Sequence, residues 1–442
     1  MAGGRTEKSL LNSGVATLDY VVSLCLSFIS RSVFLDYLGS EILGLNSTVV
    51  NLLQFLNITE LGVGTAVTFS LYKPLADNDR TKINEILALH GKIYRRIGGI
   101  IIAGAILLSL FFPLIFKKMQ LPLWYAYASF GVMLFSSLLS YFVNYRQAIL
   151  NANQESYKIT YSYHGCLIIK TLAQIIAVST TDAPYIWWLA LEFVFTIIAS
   201  VFLNVTIKKS HPYLTKINQS YRTLKAKYAV IQKKIKQLFF HRLAEFAVLQ
   251  TSPLIIYAYL SLTTVTYYTN YITAVAGITF LYNSVLGGLR GAVGNLIAEG
   301  NQSKTLSIFS QLYSLCFLAS AVLTLCAYIL LNPFICIWIG SEYILPGSTV
   351  LLIIVSMFLN LHRVIIDVFL NGYGIYKDIW APVAEGLITL GASIWLGSIY
   401  GLNGIIGGPI ISHVFILSIW KPYLLYHSGL QANPLFFFLF IS

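Results

Sequence analysis

Twelve runs of about 20 or more apolar residues, each ended by charges or by Pro and Gly, take up most of this chain. A run of that length crosses the ~30 Å hydrocarbon core of a bilayer as one helix, and only helices or closed barrels satisfy every backbone N–H and C=O in that medium. The runs are 10–35, 44–72, 86–116, 123–150, 159–179, 185–207, 243–265, 271–297, 306–339, 350–370, 379–399 and 404–426. Charged residues are only 10% of the 442 and mean hydropathy is +0.73, where a soluble domain carries roughly 25% charge. The expected fold is an all-α polytopic membrane protein with about twelve transmembrane helices. The opening residues, MAGGRTEKSL, lack the pattern of a cleaved leader, so the first run is expected to be a span.

Charge placement sets the expected orientation. Ten Lys and Arg and no Asp or Glu lie between Lys208 and Arg242, and Lys73, Arg80, Lys82, Arg146, Lys158, Lys304, Lys377 and Lys421 fall on the same side. The opposite connections, near 36–41, Asp182, 266–270, Glu342 and 400–403, are nearly free of Lys and Arg; Lys117, Lys118 and Arg31 dissent. The positive-inside rule then predicts both termini in the cytoplasm, with the cytoplasmic (inner) membrane as the expected location, and explains the net charge of +12 without nucleic acid.

The chain also repeats itself. Residues 55–82 are echoed by 281–304, with Asn57 on Asn283, Gly62 on Gly288 and Ala66-Val67 on Ala292-Val293; Pro113 pairs with Pro333 and Leu150-Asn151 with Leu370-Asn371. Six spans per repeat is an even number, so the halves share one membrane sense and are related by a pseudo-twofold axis along the membrane normal. The expected organisation is a six-helix lobe (1–207), a basic cytoplasmic loop (208–242), a second six-helix lobe (243–427) and a short apolar tail (428–442), with a cavity expected between the lobes.

Polar groups at membrane depth are costly, so each one needs a partner or a task. Asn12, Ala16, Asp19, Ser23, Ser27 and Ser30 form one stripe of the first span, expected to line the cavity. Asp19 reads either as a proton or cation site or as a carboxylate paired near the cytoplasmic end, and Glu245 is its repeat equivalent. Asn51, Gln54, Asn57 and Glu60 follow one another along the second span, and Asn283, Gly287, Arg290 and Gly294 along the eighth, where the glycines also suit close helix packing. Arg290 either snorkels to headgroup phosphates or faces the cavity. Lys170, mid-span, either pairs with Glu60, Asp19 or Glu192 or attracts phosphate. Arg363 and Asp367, four apart, are expected to pair. His164 and His413 are expected to be hydrogen-bonded within the bundle. The five cysteines show neither CxxC spacing nor a disulfide framework, and no phosphate-cradling loop or ligand cluster occurs, so neither an enzyme nor a cofactor-binding chain is expected.

The string Glu60-Leu61-Gly62-x-Gly64-x-Ala66 with Leu71-Tyr72-Lys73-Pro74-Leu75 and Lys82-Ile83 resembles the polysaccharide-export branch of the MOP (multidrug, oligosaccharidyl-lipid, polysaccharide) flippase superfamily, the Wzx-type flippases. Asn144-Tyr145-Arg146-Gln147-Ala148 through Asn153-Gln154 to Tyr157, and Gly294-Asn295-Leu296-Ile297-Ala298-Glu299-Gly300, extend the likeness over nearly the whole chain. The resemblance implies translocation of an undecaprenyl-diphosphate-linked oligosaccharide (O-antigen, capsule or exopolysaccharide units) by alternating access. It implies Lys170, Arg290, Arg31 and Arg146 as diphosphate ligands, and Asn51, Gln54, Asn57 and Asn283 on sugar. Asp19, Glu60 or Glu245 would couple to H+ or Na+, membrane lipids would be partners, and a polysaccharide polymerase could act alongside. Many members have fourteen spans, the last two associated with the lipid tail in related flippases; here 428–442 is expected to be a stub or an interfacial tail. The alternatives are an ion-coupled multidrug antiporter of the same fold and a membrane polysaccharide polymerase or ligase, the latter disfavoured by short outer connections.

Overall fold

The structure is a computed structural model describing residues 2–433 apart from 61, 234, 237, 238, 240–250, 288 and 376–379. The chain divides into two compact units, Met1–Arg242 and Leu243–Ser442. Described residues of both are helical, with nine helical stretches long and apolar enough to cross a membrane. Their outer faces carry large apolar side chains: Leu315, Leu318, Leu325, Ile329 and Ile337 are all at least 60% exposed. A surface of that kind is tolerable only in lipid.

In the first unit α1 (Ala2–Leu56) is two helices joined at Gly39, whose φ of 79° needs glycine. A 3₁₀ turn (Asn57–Glu60) leads through Gly62, φ 86°, into α2 (Val63–Ala76), so the second span is broken in its middle. Then come α3 (Arg80–Leu110), α4 (Trp124–Phe142), a π-helical turn at 160–164, α5 (Gly165–Thr180) and α6 (Pro184–Ser210). Asp79 starts α3 by accepting from the Lys82 N–H at 3.0 Å, an N-cap that satisfies one orphan donor. The basic 208–242 stretch is not a bare loop. It carries α7 (Tyr221–Lys227), and Leu224 and Ile231, almost fully buried, join a core containing Ile83, Leu87 and Leu203.

The second unit comprises α8 (Ser252–Tyr259), α9 (Leu262–Gly287), α10 (Leu289–Ala298), α11 (Gln302–Ile339), α12 (Gly347–His362), α13 (Val364–Gly372), α14 (Trp380–Tyr400) and α15 (Leu402–Ser412), the last continuing as π-helical turns from 413. α14 and α15 form a hairpin turned at Gly401, φ 56°. Gly397, Gly404 and Gly408 let the two backbones meet: an added Cβ at 404 would strike the Leu396 carbonyl, and one at 408 would strike Ser393. The space is filled with polar pairing instead, Ser393 Oγ donating to the Ile405 carbonyl at 2.9 Å and the Thr389 and Ser412 hydroxyls meeting at 2.7 Å. Small residues spaced by four are how apolar helices pack without a hydrophobic drive.

Two boundaries differ from expectation. Residues 266–270, expected as an outer connection, lie inside α9 with Asn270 fully buried; the turn falls at 260–261, where Ser261 Oγ caps the Thr264 N–H at 3.1 Å. A Thr/Tyr/Asn run reads as loop by polarity, but its hydroxyls bond back to the helix, as Thr273 Oγ1 does to the Thr269 carbonyl. The third span, expected at 86–116, carries polar contacts as far as residue 96. Lys92 donates to the Gln219 carbonyl and the Arg96 guanidinium sits 3.5 Å from the Tyr221 ring centre, so residues 219–221 lie against this part of α3, and its large apolar side chains become exposed from Ile100 onward.

Candidate functional site

Lobe 1 places the ion-coupling candidates in paired settings. Asp19 Oδ2 lies 2.8 Å from His164 Nδ1, and Asn12 bridges to the same neighbourhood, accepting from the Tyr157 N–H at 2.8 Å and donating to the Gln154 carbonyl at 2.9 Å. The first-span stripe, expected to line a cavity, therefore docks its N-terminal half, Asn12 and Asp19, on residues 154–164. Side chains that could line water are used as an interhelical seam, because an unpaired Asp or Asn there would cost more than the seam does. His164 ends the π-helical turn, whose extra residue re-aims the side chain toward α1. Glu60 accepts from Tyr94 Oη at 2.6 Å, and the buried Tyr94 ring packs against His90 and Tyr141. Gly64 makes room for this pair, since a Cβ there would stand 3.1 Å from Tyr94 Oη. Glu245 lies outside the described residues.

Of the expected sugar ligands, Asn51 is buried and donates to the Ser47 carbonyl of its own helix at 2.7 Å. Asn57 Oδ1 accepts from Tyr141 Oη at 3.0 Å and Ser137 Oγ at 3.3 Å. Gln54 and Asn283 are exposed. The repeat thus pairs two asparagines that do different work: Asn57 fixes a 3₁₀ turn, Asn283 stands on a continuous helix. A Cβ on Gly287 or Gly294 would meet nothing within 4 Å, so among the described residues these two glycines do not serve the close packing expected of them.

Of the expected phosphate ligands, Lys170 is paired. Its Nζ lies 3.0 and 2.8 Å from the two Glu192 oxygens, joining α5 to α6, and Gln174 Nε2 adds 3.2 Å to Glu192 and 3.0 Å to the Trp188 carbonyl. This is the ion-pair alternative, with Glu192 as the partner. Arg31 is half-buried on α1. Arg146 sits in the 3₁₀ turn Asn144–Gln147, its Nε 3.3 Å from Tyr145 Oη, and lines one cavity with residues 214–218. Arg290 is exposed on α10, which packs along α13 and brings it close enough to act electrostatically on Asp367. Asp367 is already held by Lys421 at 2.7 Å and by Arg363 at 3.6 Å, the expected i,i+4 pair. Among the described residues Arg290 itself has no carboxylate at ion-pair distance.

Sequence reasoning passed over several charged contacts. Lys421, in the sequence only a marker of orientation, reaches back 54 residues to Asp367. Glu385 was not singled out, and it lies 3.6 Å from His413 Nε2, with His413 Nδ1 3.4 Å from Asn360. Glu155, in the connection between α4 and α5, gathers Lys8 (3.0 Å), Lys158 (2.9 Å), Asn153 (2.9 Å) and His211 (3.3 Å), tying three segments. Burial would raise its pKa, but the bonds from His211, Lys158 and Lys8 outweigh that and hold it at about 2. Asn153 and Lys158, two and three residues away, are local neighbours of Glu155; Lys8 and His211 lie 147 and 56 residues away.

These helices follow the course they take in MOP-type transporters. An inward-facing multidrug resistance MATE family transporter of the MOP superfamily is similar over 92% of this chain and 95% of that one, with a TM-score of 0.66 at 12% identity. The lipid II flippase MurJ in an inward closed conformation gives 0.58 at 13% identity over 96% and 95% of the two chains. A MATE in the bent conformation gives 0.53 at 14% identity over 96% and 98%. No family model and no curated protein matches the sequence. The fold class is therefore that of MATE and MurJ, and at such identities the likeness is one of fold.

Proposed function

We propose that this chain is a flippase that carries a diphosphate-linked oligosaccharide on a polyprenyl lipid from the inner to the outer leaflet of the cytoplasmic membrane, by alternating access and without covalent chemistry. A sugar and a diphosphate cannot cross hydrocarbon unaided, because their polar groups would lose water with no replacement. The observation that carries the reading is Arg290. Asp367 is already satisfied by Arg363 and Lys421, so the neighbouring Arg290 is left exposed for an anion from outside the chain. An antiporter for lipophilic cations needs the opposite sign at such a place. Glu60, held by Tyr94, is the proposed coupling carboxylate, since it is in helix-breaking backbone where a change of protonation can bias two conformations. Both termini are proposed to be cytoplasmic.

The test is deletion of the gene in the producing cell, with extraction and chemical identification of lipids. Accumulation of a polyprenyl-diphosphate-linked sugar on the inner leaflet, with loss of surface polysaccharide, is expected. Unchanged polysaccharide with increased sensitivity to lipophilic cations would replace this reading with the antiporter.

A further inference from the structure

The segment between α6 and α7 crosses the cytoplasmic end of α3 as extended chain and is pinned at both ends. Asn84 donates to the Tyr213 carbonyl at 3.2 Å and accepts from the Thr215 N–H at 2.9 Å. Lys92 holds the Gln219 carbonyl, and Glu85 accepts from Lys227 at 2.9 Å, with Gln219 and Tyr228 on the same carboxylate. Between these pins the segment does not close on the helix. It roofs a cavity of about 390 Å³, floored by Tyr145, whose ring lies so near Gly91 that a Cβ there would stand 2.8 Å from it. That volume is within the ~300–1,000 Å³ usual for small-molecule sites.

Lys92, Arg95, Arg146 and Lys216 line the cavity, and no Asp or Glu does. Among the described residues Arg95 and Lys216 have no ion-pair partner, and Arg146 bonds only its neighbour Tyr145. The nearest carboxylate on α3, Glu85, is already committed to Lys227. Four cations gathered on a concave wall repel one another and oppose docking of the segment, and the concavity focuses their field. One anion among them reverses the sign of that balance. Thr215 and Asn218 add polar side chains to the lining, which suits an oxyanion better than an apolar ligand. Two arginine forks with two lysines match the several oxygens of phosphate groups better than a single carboxylate.

We infer that this cavity is a binding site for a phosphate-bearing anion, which clamps residues 212–219 onto α3. The source is either a soluble phosphate compound or a phospholipid headgroup, since α3 exposes large apolar side chains from Ile100, little more than one turn beyond Arg95. The site is independent of the flippase reading and stands if that reading fails.

Hydrogen exchange of the full-length purified chain tests it. One arm uses detergent-solubilised protein with inorganic diphosphate; the other uses phosphatidylcholine nanodiscs with and without phosphatidic acid. At a ligand concentration ten times Kd, exchange of amides 213–219 should slow about elevenfold. Slowing by diphosphate identifies the soluble source, and slowing by phosphatidic acid alone identifies the headgroup. The Arg95→Gln/Lys216→Gln variant should lose the effect while exchange in α4 stays unchanged; if that pair disturbs α4, Lys216→Gln alone, at an exposed position, should lose at least half of it. No slowing in either arm, equal slowing by sodium chloride of matched ionic strength, or full slowing in the variant overturns the site.

Discussion

Replacing Lys170 by Met leaves the Glu192 carboxylate with Gln174 as its remaining donor from α5. The lost contacts are at 3.0 and 2.8 Å, and the two side chains are only 14% and 16% exposed. Removing one partner of a buried pair costs about 3–5 kcal/mol; with part of each side chain still reached by water, about 3 kcal/mol applies. The first unit has 242 residues, and for that size each kcal/mol lowers Tm by ~2–4 °C, giving a fall of roughly 6–12 °C. Adding Glu192→Gln removes the orphaned charge while Gln174 keeps a partner, and the double variant should return to within ~1 kcal/mol of wild type. Thermal unfolding of the four proteins of this cycle in one detergent, followed by tryptophan fluorescence, measures the coupling. Export by cells should follow stability and return in the double variant, because the pair carries no net charge. A double variant as labile as Lys170→Met, or a coupling below about 0.5 kcal/mol, refutes the assignment of this pair as a strut.

Arg290→Ala should abolish export yet alter stability by no more than ~0.5 kcal/mol, since the side chain is exposed; wild-type export by a stably inserted variant removes Arg290 from the anion site. Glu60→Gln should slow export and flatten its dependence on external pH, while Tyr94→Phe should keep the pH dependence and cost about 1 kcal/mol in stability; a Glu60→Gln protein with an unchanged pH profile rules out coupling there. Glu155→Gln should lose about 3 kcal/mol at neutral pH, from a pKa lowered from 4.5 to about 2. Because the folded pKa is depressed, that advantage is full above pH 5 and disappears as pH falls to 2, so the Tm gap between wild type and variant should close over that window; a gap independent of pH would contradict the assignment.

The lipid environment and the helical class were legible in composition and run length, because a bilayer permits helices and penalises almost every alternative. Punctuation by Gly, Pro and charge located turns: Gly401 and Glu342 stand where turns were expected. Polarity misled at 266–270, which lie inside a helix, and the contacts of Lys92 and Arg96 with the segment near residues 219–221 did not show, because these charges lie inside an apolar frame. Spacing of three or four predicted Arg363 with Asp367, because helix geometry alone makes those neighbours.

Partner choice across the fold was decided only by tertiary structure. Nothing local says that Lys170 takes Glu192 rather than Glu60 or Asp19, that Lys421 reaches Asp367, or that Asn57 spends its acceptor on Tyr141. The repeat shows which residues correspond, and packing shows that correspondence is not equivalence. The basic stretch 208–242 is the clearest case. Its charge predicted its side of the membrane, while its position over α3, and the cationic cavity it roofs, arise from Leu224 and Ile231 entering a core built more than a hundred residues earlier. Sequence determines what each segment can tolerate around it; long-range packing selects which neighbour supplies it.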